Sequence, residues 1–358
     1  MENIKSKVVL GLLLGVVVIV GLALAADLPR VLDAVRGFEW SWLPLILGLT
    51  SFNYLLRFGK WHYYLRQMGI DNITWADSLK VFLGGFAMTV TPGKIGEAFK
   101  SLWLKNLTGA GMARTLPVVA AERLSDALAC ALLASVGVVA YPQYWPAFAA
   151  ILAVLIGGII VVQIRALALW LLGVAEHLPL VSRFAHSLRE FYESSYELLS
   201  LKNLAVAVGL GTVSWAGEGA AFWLVLKGFG VQPTVALLSQ AIFILAFSVI
   251  VGGASTLPGG LGAAEVSLAG MLAFVVGLPR ELAASAALLI RFCTLWFGVA
   301  LGFTVLALFR QQLFASQRSR VGDQRSEADG RKQALVDELG YAGESPRRKE
   351  KVQNGRSF

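Results

Sequence analysis

The sequence predicts an all-α polytopic membrane protein, with about six full transmembrane helices and two re-entrant helical hairpins arranged as an inverted repeat. Three observations carry that expectation. Of 358 residues, 56% are hydrophobic and 15% are charged, where soluble domains carry about a quarter charged residues. Apolar runs near 8–26, 146–164, 203–226 and 283–309 each have the length a hydrocarbon core requires, about 20 residues. Two proline–glycine breaks, Thr91-Pro92-Gly93-Lys94-Ile95-Gly96-Glu97 and Leu257-Pro258-Gly259-Gly260-Leu261-Gly262-Ala263-Ala264-Glu265, interrupt apolar stretches in the two halves. Proline removes a backbone donor and glycine relaxes φ, so neither stretch continues as one helix. A bilayer tolerates such breaks only where protein or a wet cavity satisfies the freed backbone groups, and matched breaks in two halves point to a transporter binding site. A β-barrel would instead give short alternating segments.

Taken in order, Met1–Ala26 has Lys5 and Lys7 ahead of an apolar run of about 19 residues, longer than a signal-peptide core, so it reads as an uncleaved first helix. With the N-terminus inside, Asp27–Trp42 lies outside, with Trp40 and Trp42 at an interface. A second helix over about 43–60 returns, and Arg57, Lys60 and Arg66 mark its cytoplasmic end. Residues 76–91 run inward, break at Pro92-Gly93 and continue as 94–106, two arms too short to span, with Lys100, Lys105 and Arg114 at the return. Residues 115–140 cross outward, and 146–164 come back after Tyr141-Pro142-Gln143-Tyr144-Trp145-Pro146. The mixed stretch 165–202 is an amphipathic connector on the cytoplasmic face. Helix 203–226 goes out, 234–253 and 258–277 form the second hairpin, and 282–309 returns.

The membrane domain therefore occupies 1–310, with repeat one at about 43–140 and repeat two at about 203–309. The tail 311–358 is basic, and its composition is that of a disordered segment. From Arg310 to Phe358 there are 11 Lys/Arg and 7 Asp/Glu, half of the chain's net +8. The positive-inside rule places that tail, and with it both termini, in the cytoplasm, and the expected location is the cytoplasmic (inner) membrane. The halves also align. Trp61–Phe82 lies on Phe222–Phe243 at an offset of 161, which sets Gly69 opposite Gly230, and Glu97–Arg123 and Glu265–Arg291 are both separated by 26 residues.

Charges inside spans are costly and face a cavity or one another. They are Arg57, Lys60, Lys94, Glu97, Lys100, Glu122, Arg123, Asp126, Glu218, Glu265 and Arg291. Lys94 stands at a break that opens a helical arm, where helix N-termini attract anions, so a phosphate-bearing headgroup is the natural ligand. Arginine suits bidentate phosphate contact. Glu122 and Asp126 share one helix face, either as ligand groups or as a charge network that holds the hairpins. Glu218 and Glu265 either pair with the cations or carry a proton, while Lys60 and Lys100, taken alone, read as snorkelling to the interface.

Other chemistries find little support. Cys130 and Cys293 fall inside spans, and His62, His177 and His186 have no ligand-spaced partners, so neither a disulfide framework, a metal site nor a cofactor is expected. Pro92-Gly93-Lys94 lacks Walker spacing and a following hydroxyl residue. The acidic pairs could still serve as acid and base in an intramembrane transferase.

The string Thr91-Pro92-Gly93-Lys94-Ile95-Gly96-Glu97-Ala98-Phe99-Lys100, followed by Glu122-Arg123-Leu124-Ser125-Asp126 and by Leu257-Pro258-Gly259-Gly260-Leu261-Gly262, resembles the lysylphosphatidylglycerol synthase transmembrane-region family over roughly residues 5–310. The resemblance implies a lipid flippase region, which in the best-known members precedes a cytosolic aminoacyl-transferase domain. Only 49 residues follow Phe309, too few for such a domain, so lysine transfer is not expected here. Stand-alone relatives imply movement or supply of other lipids. The second motif has no lysine after its Pro-Gly, which places anion binding mainly on the first hairpin.

The expectation is a lipid flippase with Arg57, Lys94, Glu97, Lys100, Glu122, Arg123, Asp126, Glu218, Glu265 and Arg291 as substrate-binding residues. Pro92, Gly93, Gly96, Pro258, Gly259, Gly260 and Gly262 make the hairpin breaks. The alternatives are a lipid-modifying intramembrane transferase and a membrane subunit that recruits a lipid-synthesising enzyme. Membrane lipids are the expected partners, and nucleic acid is not.

Overall fold

The computed structural model describes residues 13–314 except 14, 19, 92–95, 141–144 and 177–184. The start of the first expected helix, the tail and Pro92, Gly93 and Lys94 therefore lie outside the described residues. Among the described residues every regular element is helical, as an all-α polytopic membrane protein requires.

Helix α1 (Gly15–Ala25) bends by 99° into α2 (Leu28–Arg36). Within the segment 27–42, Leu28, Val31, Leu32 and Val35 recur at helical spacing and form α2. Val31 packs with Ala284 in a small buried cluster. A 3-10 turn (Trp40–Trp42) leads into α3 (Leu43–Gln67). This helix runs seven residues past the expected end at 60, because Trp61, Tyr64 and Leu65 are fully buried and continue its core face.

The first hairpin pairs α4 (Trp75–Phe86) with α5 (Phe99–Thr108). Their 12 and 10 residues reach about 18 and 15 Å at the helical rise, short of a hydrocarbon core of roughly 30 Å. Helix α6 (Met112–Ala140) follows, then α7 (Trp145–Gln163), which turns by 87° into α8 (Arg165–Glu176). Helix α9 (Ala185–Leu198) completes the connector and packs on α6.

The second half begins with α10 (Leu201–Gly228). Its hairpin is α11 (Val235–Ala254), a 3-10 turn (Pro258–Gly260) and α12 (Ala263–Met271), which continues through a π turn to Val276. At 20 residues α11 is long enough to span, so the two hairpins are unequal. Finally α13 (Arg280–Arg291) passes through a π turn into α14 (Phe297–Phe314). Among the described residues four helices are long and apolar enough to cross a membrane, and up to six spans result when each bent pair counts as one. Helices α3 and α6 have 25 and 29 residues but carry ionised groups in mid-helix.

The packing of α3 against α10 is antiparallel. The Lys227 ammonium lies over Trp42 at 4.0 Å, Asn53 meets Ser214, and the Tyr63 hydroxyl donates to Asn203 at 2.7 Å. The middle contact is reciprocal. Asn53 Nδ2 donates to the Ser214 carbonyl at 3.1 Å, and Ser214 Oγ donates to the Asn53 carbonyl at 3.1 Å. These residues lie 161 apart, the offset that aligns the halves, so a pseudo-twofold axis passes between them. An axis relating two antiparallel helices inverts one repeat against the other.

The helix ends repeat too. After α3, Ile70 N donates to Leu65 O and Gly69 N to Arg66 O; after α10, Val231 N donates to Leu226 O and Gly230 N to Lys227 O. Both are Schellman closures, with left-handed φ of 64° at Gly69 and 83° at Gly230. One buried cluster centres on α3–α6 and the other on α10–α13.

Close helix contact depends on glycine where α14 crosses α4. A Cβ on Gly302 would lie 2.3 Å from the Ala87 nitrogen and 2.9 Å from the Leu83 carbonyl. Gly302→Val is expected to cost about 1–3 kcal/mol by overpacking, read as a lower unfolding midpoint in detergent. Gly270→Val, at an exposed site with nothing within 4 Å of its Cβ, should leave that midpoint nearly unchanged.

Candidate functional site

The charged residues of both halves converge where the hairpin tips approach α3, α6, α10 and α13. Glu122 on α6 is fully buried and is the hub. Its Oε1 receives Arg57 Nη2 at 3.2 Å and Arg123 Nη2 at 2.7 Å, and its Oε2 receives Lys100 Nζ at 3.0 Å. One helical turn on, Asp126 takes Lys60 Nζ on Oδ1, also faces Arg57 Nε at 3.3 Å, and accepts Trp215 Nε1 at 3.2 Å. Glu97, between the first break and α5, pairs with Arg123 Nε at 3.2 Å.

Local sequence makes these reaches feasible. Gly85 leaves open the path of the Lys100 side chain, whose Cε would lie 2.2 Å from a Cβ there. Lys100 Nζ then sits over Trp61 at 5.0 Å and Phe82 at 5.1 Å, while the Arg57 guanidinium lies over Phe86 at 5.7 Å and Trp215 at 5.6 Å. Aromatic faces attract cations and add about 1–2 kcal/mol where water is excluded. At the first break, the Gly96 amide donates to Thr91 Oγ1 at 2.9 Å. A side chain at 96 would collide with Thr91 and Met88.

The second hairpin carries the matching pair. Arg291 Nε donates to Glu265 Oε1 at 2.6 Å, and Arg291 Nη2 to the Gly259 carbonyl at 2.7 Å. The second oxygen of Glu265 accepts the Gly262 amide at 2.7 Å, closing the first turn of its own helix. Gly260 approaches the Gly252 backbone so closely that any Cβ would lie 2.9 Å from it. Among the described residues a backbone bond joins the two hairpins, from the Gly259 amide to the Thr89 carbonyl, at 3.0 Å.

The structure thus joins Arg57, Glu97, Lys100, Glu122, Arg123 and Asp126 in one network and Glu265 with Arg291 in a second; Lys94 lies outside the described residues. Two expectations are corrected. Lys60 and Lys100 do not snorkel: they are 0% and 1% exposed and held by Asp126 and Glu122. Arg57 and Lys60 do not mark a helix end either, because α3 continues to Gln67. Lys94, on which the expected asymmetry toward the first hairpin rests, lies outside the described residues, and Arg291 of the second half shares the cavity described next.

A small cavity of about 90 Å³ has room for a few waters or one small anion. Tyr54, Arg57, Phe86, Thr89, Arg123, Glu218, Arg291 and Thr294 contribute to its wall. Glu218 is buried there and makes no ion pair with another described residue. Beside it lies a larger, mainly apolar groove of about 650 Å³ between α6, α7 and α11, with Ile151, Val154, Leu155, Val249 and Ile250 in its wall. Val154 is 75% exposed, so the groove is open on the α7 side. Arg123 belongs to both walls.

Sequence reasoning overlooked Tyr54, Thr89, Trp215 and Thr294. A signal existed for three of them. The offset of 161 sets Tyr54 opposite Trp215, and the offset of 168 that joins Glu97 to Glu265 and Arg123 to Arg291 sets Asp126 opposite Thr294. In the structure Trp215 donates to Asp126 and Tyr54 donates to the Thr294 carbonyl, two equivalent contacts.

Fold and site together define a multi-pass α-helical membrane protein built from inverted repeats around buried ion pairs. Residues 8–302 match the model of the lysylphosphatidylglycerol synthase TM region, and the chain belongs to that family. It is 27% identical to a UPF0104 membrane protein of Methanothermobacter thermautotrophicus, over 87% of this chain and 97% of the relative. A UPF0104 membrane protein of Pyrococcus horikoshii is 23% identical, over 85% of this chain and 98% of the relative.

Glu122→Gln would leave buried Arg57 and Lys100 and half-buried Arg123 around one neutral amide. Breaking a buried pair on one side costs about 3–5 kcal/mol, so this variant should unfold well below wild type in a detergent melt. The double variant Glu122→Gln, Lys100→Met, which removes one of those cations, should recover part of the loss.

Proposed function

We propose that this chain is a lipid translocase of the cytoplasmic membrane, with both termini inside. The phosphate-bearing headgroup passes through the polar cavity while the acyl chains stay in the lateral groove. One observation carries this reading: Arg123 stands in the wall of the polar cavity and in the wall of the apolar groove. A ligand that fills both at once is amphipathic, with its charged end beside a guanidinium. Family membership supports the same reading, since the family takes its name from an enzyme that acts on a phospholipid.

Arg57, Arg123 and Arg291 offer the phosphate planar, fork-shaped donors. Lys60 and Lys100 lie beyond reach of a ligand, each tied to a carboxylate, and their part is to hold the arginines' partners in place. The Gly259–Thr89 bond and the Arg291 hold on Gly259 keep the hairpin tips closed over the cavity floor. Separation of the tips would open a route for the headgroup, and the inverted repeats provide two equivalent ways to do it. An enzyme that supplies or consumes the lipid is the partner this activity calls for.

The test is headgroup accessibility in proteoliposomes containing purified protein and a panel of fluorescent anionic phospholipids. Wild type should accelerate exchange between leaflets, and Arg123→Gln should reduce the rate by at least about tenfold, the equivalent of roughly 1.4 kcal/mol. Lys94→Ala tests the first break in the same assay. Absence of acceleration for every lipid in the panel would overturn the reading.

A further inference from the structure

Five cations and five carboxylates meet at the site among the described residues: Arg57, Lys60, Lys100, Arg123 and Arg291 against Glu97, Glu122, Asp126, Glu218 and Glu265. Four of the carboxylates are each held in an ion pair within 3.3 Å. Glu218 is the exception: it is 5% exposed, lines the cavity and has no ion-pair partner among the described residues.

With all five carboxylates ionised these ten described residues are neutral together. An anionic headgroup entering the cavity would bring them to net −1, and an uncompensated charge inside the membrane is expensive. The inexpensive remedy is a proton on the one carboxylate among them that no described cation holds. We infer that Glu218 takes up one proton as an anionic headgroup binds and gives it back as the headgroup leaves, so that lipid and proton move together. This rests on the translocase reading above. The step balances simply: a proton from the aqueous phase joins a Glu218 oxygen, and the headgroup phosphate brings into the guanidinium-lined cavity the negative charge that Glu218 gives up.

The surroundings of Glu218 favour it over its neighbours. Helix α3 brings Tyr54 and Arg57 near it, α6 brings Asp126 and the Cys130 thiol, and α13 brings Arg291. Helix α11, packed against the same helix, carries no charged residue. Asp126 is already bound by Lys60, Arg57 and Trp215. Cys130 is fully buried in the core rather than in the cavity wall. Glu218 also occupies the position equivalent to Arg57, at the same offset of 161, so a carboxylate and a guanidinium line one cavity from symmetry-related sites.

Binding of fluorescent phosphatidylglycerol to the purified full chain tests the inference, because its phosphodiester keeps a single negative charge across the neutral range. Wild-type Kd should weaken as pH rises above the Glu218 titration, approaching tenfold per pH unit as one linked proton requires. Titration calorimetry in buffers of different ionisation enthalpy should find about one proton taken up per lipid bound, the stoichiometry of that same linkage. Glu218→Gln should bind with a pH-independent Kd and no proton uptake, and Glu218→Asp should restore the uptake, which separates a proton site from a merely structural one. Wild-type binding without proton uptake, or unchanged uptake in Glu218→Gln, would overturn the inference and leave the translocase reading standing. Absence of lipid binding by wild type, to phosphatidylglycerol or to any other lipid of the panel, would remove both.

Discussion

Buried charges in a bilayer protein must cancel over short distances, and the rest of this structure is arranged around that constraint. Glu122 alone contacts three cations, and it has no exposure to water. Desolvating so many ions costs several kcal/mol apiece unless geometry returns most of it. The returns come from elements that would not otherwise meet: α3 supplies Arg57 and Lys60, α5 supplies Lys100, and α6 supplies both carboxylates. The network fixes how the first hairpin sits against two long helices. A fluid core of leucines would not specify that placement.

The second half meets the same constraint more cheaply. Where the first half has Lys60, Lys100, Glu122 and Asp126, the offsets of 161 and 168 give Ala221, Leu268, Ile290 and Thr294. Among the described residues of the site the second half keeps the Glu265–Arg291 pair, and both of its members also hold backbone of the hairpin tip. The repeats therefore share a frame but divide the labour. One half is a rigid charged block, and the other is an apolar block with a single ionic latch at its tip. Thr256, ahead of that tip, holds a left-handed φ of 56°, a conformation a β-branched residue adopts only under tertiary constraint.

Much of this was legible in the sequence because symmetry leaves a countable trace. The offset of 161 pairs Gly69 with Gly230, and the two Schellman closures stand there. The shared separation of 26 residues pairs Glu97 with Arg123 and Glu265 with Arg291, and both ion pairs form. What could not be read was depth. Lys60 looked peripheral because a lysine near an expected helix end usually reaches for the interface, yet α3 runs on through Trp61 and Tyr64 and leaves Lys60 fully buried. The cavity was invisible for a related reason. Tyr54, Thr89 and Thr294 are ordinary residues for a membrane helix, and only tertiary packing sets them around one space.

The reciprocal bonds between Asn53 and Ser214 place the pseudo-twofold axis close to Arg57 and Glu218. Groups near such an axis meet their own equivalents. Were the two halves identical in sequence, this position would carry two guanidinium groups or two carboxylates in place of one of each. A duplicated chain carries opposite signs here only after one copy has changed its charge. Divergence between the halves at this one position gives a single polypeptide something that two identical subunits could not build: opposite charges at symmetry-related places in one cavity wall.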